Sequence, residues 1–190
     1  MLRIFGFLLA LSGLVACEGA SDLNEPPVAL GDFNLEHNIV VAPKAIKGPL
    51  SREASKEELS EALRSAIAAR FDRYEGARRY HFGVSVEGYM LAVPGVPLVL
   101  APKSGMIINL TVWDDAAAAK LNDTPHQITV LETFGTGPIV GSGYTLSAEE
   151  QLEQLAGNAA KAIERYLVQQ MEEQGWFTNP EPLNESAEDA

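Results

Sequence analysis

The chain has 190 residues, 46% of them hydrophobic and 21% charged, enough apolar content for the core of one domain. Asp and Glu number 26 against 14 Lys and Arg, a net charge of −12, and such a chain repels phosphate backbones, which argues against a nucleic-acid partner. The single cysteine leaves no partner for an internal disulfide and no cysteine-built zinc site.

The first element in chain order is a leader. Arg3 supplies a positive charge, residues 4–14 form a short apolar run, and Leu14, Val15 and Ala16 precede Cys17. A cationic start, an apolar middle and a small-residue cleavage site are the parts of a secretory signal peptide. The run is too short to span about 30 Å of hydrocarbon. The last four residues resemble the lipobox of bacterial lipoproteins. That resemblance implies cleavage between Ala16 and Cys17 and a diacylglyceryl group on the Cys17 thiol. Each buried CH₂ of such a lipid adds about 0.8 kcal/mol of membrane affinity. Removing residues 1–16 takes away only Arg3, so the mature chain carries 13 basic and 26 acidic residues. An anionic membrane surface does not attract it, and the lipid must supply the affinity.

Residues 17–36 read as a lipidated tether, small and polar with Pro26 and Pro27. A single domain is expected over 37–174 and an acidic, mobile tail over 175–190, in which Trp176 and Phe177 have the character to dock. Within the domain, the apolar run 38–42 predicts a buried strand ending before Pro43. Ser55 followed by Glu58 is a capping box that opens a helix. Leu59, Leu63, Ala66, Ile67, Phe71 and Tyr74 fall on one stripe of it, and Gly76 is expected to end it with positive φ.

Three alternating runs follow: Tyr80, Phe82, Val84 and Val86; then Ile108, Leu110 and Val112 within 106–113; then 127–134. Residues 114–125 read as a polar connection. The glycine-rich stretch 135–143 has room for one short strand at Ile139 and Val140. Ser147 and Glu150 cap a second helix whose stripe is Leu152, Leu155, Ala156, Ala159, Ile163, Tyr166 and Leu167. The order strand, helix, strand, strand, strand, helix predicts an α+β two-layer sandwich: a mostly antiparallel sheet with both helices on one face.

No residue set announces catalysis. His37, His81 and His126 lack the close spacing of metal ligands on one element. Asp114 and Asp115 could bind a cation, but Asp114 is equally placed to cap the turn at 116–120. Gly141-Ser142-Gly143 is not the G-x-S-x-G elbow of a serine hydrolase, and the glycine-rich stretch lacks the lysine of a phosphate loop. The expectation is therefore a protein without catalytic residues, without a metal and without a cofactor beyond the covalent lipid on Cys17.

The stretch 91–105 stands out. It joins two strands with three prolines and the apolar residues Val93, Val96, Leu98, Val99 and Leu100. A loop this apolar is either an arm that touches a partner or the membrane, or an arm folded over the sheet edge. Val96, Leu98, Val99 and Leu100 are the candidate contacts.

The segments 106–114 (MIINLTVWD), 120–122 and 141–147, with Gln151 and 158–160, resemble small uncharacterised lipoproteins of Gram-negative bacteria, alphaproteobacterial ones in particular. The element order and anchor are also similar to the lipopolysaccharide-assembly lipoprotein and to auxiliary lipoproteins of lipid-transport ABC systems. These resemblances imply a periplasm-facing accessory protein, anchored in the membrane by its lipid and bound to an envelope protein partner. A carrier of a small apolar ligand and an envelope hydrolase are the alternatives. Glu18 after the lipidated cysteine, where inner-membrane retention is associated with aspartate, leans the expected location to the outer membrane.

Overall fold

The computed structural model describes residues 22–93, 104–131 and 146–178. After a 3-10 turn at Asp22–Asn24 come β1 (Asn34–Val41), β2 (Ile46–Lys47), α1 (Lys56–Phe71) and β3 (Arg79–Met90). They are followed by β4 (Gly105–Asp114), β5 (Ala119–Lys120), β6 (His126–Leu131) and α2 (Ala148–Gln174). The architecture is an α+β sandwich, one sheet of six strands covered on one face by the two helices.

β3 and β4 are the centre of the sheet. β4 runs antiparallel to β3, and β5 and β6 both pair antiparallel with β4. The sheet is mixed, because β1 and β2 pair with β3 in parallel. A parallel partner needs a crossover, and α1 is that crossover. The alternation of the strands sorts residues between faces. Tyr80, Phe82, Val84, Val86, Met106, Ile108, Leu110, Val112, Ile128 and Val130 point into the core. A register shift between Val86 and Gly88 leaves Glu87 as an extra residue, after which Tyr89 faces inward.

Both helices begin as the capping boxes predict. Ser55 Oγ accepts from the Glu58 amide at 3.1 Å and the Glu58 carboxylate accepts from the Ser55 amide at 2.7 Å. Ser147 and Glu150 repeat those distances. Leu59, Leu63, Ile67 and Phe71 of α1 and Leu152, Leu155, Ala156, Ala159, Ile163 and Leu167 of α2 are buried.

Three expectations need revision. α1 ends at Phe71, capped by Asp72 in a right-handed conformation, not at Gly76. Gly76 is required for a different reason: a Cβ there would lie 2.3 Å from the Phe33 backbone nitrogen. β1 starts at Asn34, earlier than the apolar run suggests, and it is not the buried strand expected there, because among the described residues it pairs only with β3 and leaves Ile39 and Val41 exposed. The described part of the segment read as a tether, residues 22–36, is anchored to the domain, since Leu30 and Phe33 are each only 1% exposed while 24–29 stay exposed. Phe33 packs against Phe71, Tyr74, Tyr80, Phe82 and Phe177, with ring centroids 4.9–6.1 Å away. Trp176 and Phe177 are buried as well, just after the left-handed cap of α2 at Gly175. The region predicted as a third alternating run is strand only to Leu131 in β6, and 132–134 lie outside the described residues, as do Ile139 and Val140.

Candidate functional site

With both helices on one face, the opposite face of the sheet is bare among the described residues. The same alternation that buries one set of strand residues presents the other, in cross-strand rows. His37, His81 and Trp113 share one row, Ile39, Gly83 and Thr111 the next, and Val41, Ser85, Asn109 and Gln127 the third. Ile46, Gly88, Ile107 and Thr129 follow, and Met90, Gly105 and Leu131 close the face. Ile39, Val41, Ile46, Ile107, Trp113 and Leu131 are all exposed, Ile46 at 74% and Ile39 at 61%. Ile39, Val41, Ile46, Ile107 and Leu131 thus put aliphatic side chains on β1, β2, β4 and β6, interleaved with Thr111, Ser85, Asn109, Gln127 and Thr129, and the row of His37, His81 and Trp113 lies at one end.

At that end His37 and His81 stack, ring centroids 4.9 Å apart. His81 Nε2 lies 3.3 Å from Asp115 Oδ1, and the Arg79 guanidinium holds the other Asp115 oxygen at 3.2 Å. His81 Nδ1 has no hydrogen-bond partner. Sequence spacing hides this pair, because it forms between parallel strands that the α1 crossover brings side by side. His126 stands apart, flat against Tyr166 at 3.8 Å, and burial pushes its pKa below the ordinary histidine value. Among the described residues no three His, Cys, Asp or Glu side chains gather as metal ligands would.

Asp114 acts as the turn cap. Its Oδ1 accepts from the Ala116 and Ala117 amides at 3.0 and 3.2 Å, and its Oδ2 accepts from Arg78 at 2.6 Å. Oδ1 thus serves the β4–β5 turn, and Oδ2 serves the ion pair with Arg78.

A second polar cluster sits in the helix layer. Arg70 donates to Glu164 at 2.7 Å and to Asp22 at 2.6 Å; Tyr74 donates to the second Glu164 oxygen at 2.9 Å, and Lys161 reaches Asp22 at 3.0 Å. The Arg70 hydrogen bond outweighs desolvation and holds the Asp22 carboxyl at about 2. Burial, then the bond to Glu164, pushes the Tyr74 phenol well above its ordinary value. These groups are locked in ion pairs and hydrogen bonds, and the cluster reads as a clamp between chain segments.

Cys17 and Ala16 lie outside the described residues, as do Val96, Leu98, Val99 and Leu100. The flanks of that apolar stretch belong to the core: Leu91 and Ala92 are buried, and Leu91 exchanges backbone and side-chain bonds with Arg52 and Ser51. A recess near the start of α2, lined by Ser104, Gln151, Gln154, Leu155 and Asn158, has a cavity volume of about 10 Å³, room for about one water molecule and far below the few hundred Å³ of a usual small-molecule site. No helix among the described residues is long and apolar enough to cross a membrane.

Fold and surface together define a two-layer α+β domain whose second sheet face is uncovered among the described residues. No family model matches the chain, and no curated protein matches it. Among solved structures, it is similar to a Xanthomonas campestris protein of the family DUF330, at 12% identity and a TM-score of 0.49, over 79% of this chain and 94% of that one. A candidate lipoprotein from Caulobacter crescentus matches at 16% identity and a TM-score of 0.36, over 72% and 91% of the two chains. A minor lipoprotein from Acinetobacter baumannii matches at 15% identity and a TM-score of 0.30, over 71% and 94%. At these values the likenesses assign no function to this chain.

Proposed function

We propose that this chain is a lipid-anchored accessory protein of the bacterial envelope that works by binding an envelope protein and not by catalysis. The leader ending in Ala16 and Cys17 supports the anchor and a periplasm-facing location, with Glu18 favouring the outer membrane. The observation that carries the binding role is the exposure of Ile39, Val41, Ile46, Ile107 and Leu131 on the bare sheet face. Apolar surface in contact with water costs about 25 cal/mol per Å², so several exposed aliphatic residues on one sheet face favour a partner that covers them. The clamp and turn carboxylates are committed to ion pairs and caps, which supports a role without acid–base chemistry.

Two measurements test the reading. Intact mass of the purified protein should show a diacylglyceryl-modified Cys17, and Cys17→Ser should leave the precursor uncut; an unmodified N-terminus at another residue overturns the anchor. Photo-crosslinking residues placed at Ile39 and Ile107 should give the same discrete adduct in intact envelopes, and one placed at Arg64 on α1 should not. If Ile39→Asp with Ile107→Asp melts normally and keeps every adduct seen from a third open-face position, Thr129, the sheet face is not the binding surface.

A further inference from the structure

The polar cluster in the helix layer has a bearing on geometry at the membrane. Asp22 is tied to Arg70 of α1 and to Lys161 of α2. Immediately after it, the Arg73 guanidinium donates to the carbonyls of Leu23 and Glu25 at 2.9 and 2.8 Å. Leu30 and Phe33 then enter the core on the way to β1. The chain is therefore fixed to the domain from Asp22 onward, and it is fixed on the helix side, opposite the bare sheet face. Asp22 stands only five positions after Cys17 in the sequence.

We infer that the Asp22 clamp orients the anchored domain, holding its helix layer against the lipid surface and turning the uncovered sheet face away from it. This rests on the lipidation of Cys17 argued above. Five residues fully extended reach at most about 18 Å. A helix with its side chains is about 10–12 Å across, and the sheet with its outer side chains lies beyond that. The connecting chain is too short to pass around the helix layer and let the sheet face lie flat on the bilayer. Arg165, one turn after Lys161 on α2 and exposed, lies on the membrane-proximal side; Ile39 lies on the distal side. A flexible tether of the full length 17–36 would impose no such preference. The occupant of the helix-side surface is thus the bilayer itself, and the sheet face is left for a protein partner.

The test uses the full lipidated protein in phospholipid vesicles that carry a nitroxide on the lipid headgroup. Cys17 is the chain's only cysteine and is acylated, so Arg165→Cys and Ile39→Cys each give one labelling site for a fluorophore. Strong quenching at 165 and loss of quenching at 39 is the expected result. In a background of Asp22→Ala with Arg73→Ala, which removes both the ion pairs and the bonds to the Leu23 and Glu25 carbonyls, the difference between the two sites should shrink, while circular dichroism confirms that the fold persists. Equal quenching at both sites, or stronger quenching at 39, overturns the orientation. The intact mass of the same sample separates the two failures. An acylated sample without the contrast sinks only the orientation, and a sample without acyl mass sinks the anchor and the orientation together.

Discussion

Arg70 near the end of α1 and Glu164 in the middle of α2 meet at 2.7 Å with 5% and 3% of their surfaces exposed. Each is satisfied on its other side, Arg70 by Asp22 and Glu164 by Tyr74. Removing one member of such a pair strands a buried charge, whereas replacing both with apolar groups does not. Glu164→Ala should therefore cost about 3–5 kcal/mol of stability. Arg70→Met combined with Glu164→Leu should recover most of that loss. Urea denaturation of the two variants measures the difference.

Asp22 makes stability depend on acidity. Its carboxyl is lowered from 3.8 to about 2 in the folded protein, chiefly by its hydrogen bond to Arg70. A depressed carboxyl stabilises the fold above its unfolded pKa, and the contribution is lost as pH falls from about 4 through 2. The side chain is 32% exposed, so solvent screens the pair and the contribution at neutral pH is about 1 kcal/mol. Asp22→Asn should lower the melting temperature at pH 7 and have little effect below pH 2. Thermal melts across that range give the profile.

Gly76 should tolerate no side chain. Its amide donates to the Phe33 carbonyl at 2.9 Å, and a Cβ would meet the Phe33 backbone nitrogen at 2.3 Å and oxygen at 2.6 Å. Backbone cannot rotate aside as a flexible side chain can. Gly76→Ala should destabilise by about 1–3 kcal/mol through overpacking. Chemical denaturation is the check, and a neutral result would mean that the Phe33 strand entry gives way.

The parts of this fold written in local sequence were legible. Ser55 with Glu58 and Ser147 with Glu150 act within one turn, so a short window reveals both helix starts. The inward residues of β3 and β4 were equally plain, because alternation needs only the strand itself. What depends on chain segments meeting was hidden. The parallel pairing of β1 with β3 juxtaposes His37 and His81, and no spacing rule connects them. Arg70 and Glu164 are 94 positions apart and meet only once the helices lie side by side. Asp22, Leu30 and Phe33 occupy a stretch whose prolines and small residues suggest a tether, yet two ion pairs of Asp22 and two apolar anchors dock it. Gly76 had the right identity for a helix end and serves a backbone contact instead. The bare sheet face was implied once both helices were assigned to one side, but its aliphatic residues needed the register.

The helical stripes lend themselves to a direct check. Leu63 of α1 and Ile163 of α2 are both fully buried. Replacing either with Ala should cost about 2–5 kcal/mol, the transfer term plus the cavity left behind. Denaturation midpoints at constant m-value would establish it.

The Asp32 amide donates to the Phe177 carbonyl at 2.9 Å, next to Gly31, whose φ of 62° and lack of Cβ let that carbonyl approach. Phe177 also closes over Phe33 and Tyr80. A polypeptide leaves the ribosome, and is threaded through a membrane, from its N-terminal end. Phe33 and Tyr80 therefore emerge well before the residue that covers them, and a chain halted short of Trp176 carries an aromatic surface still open to water. Completion of this aromatic core has to wait until Phe177 is delivered, more than 140 positions after Phe33.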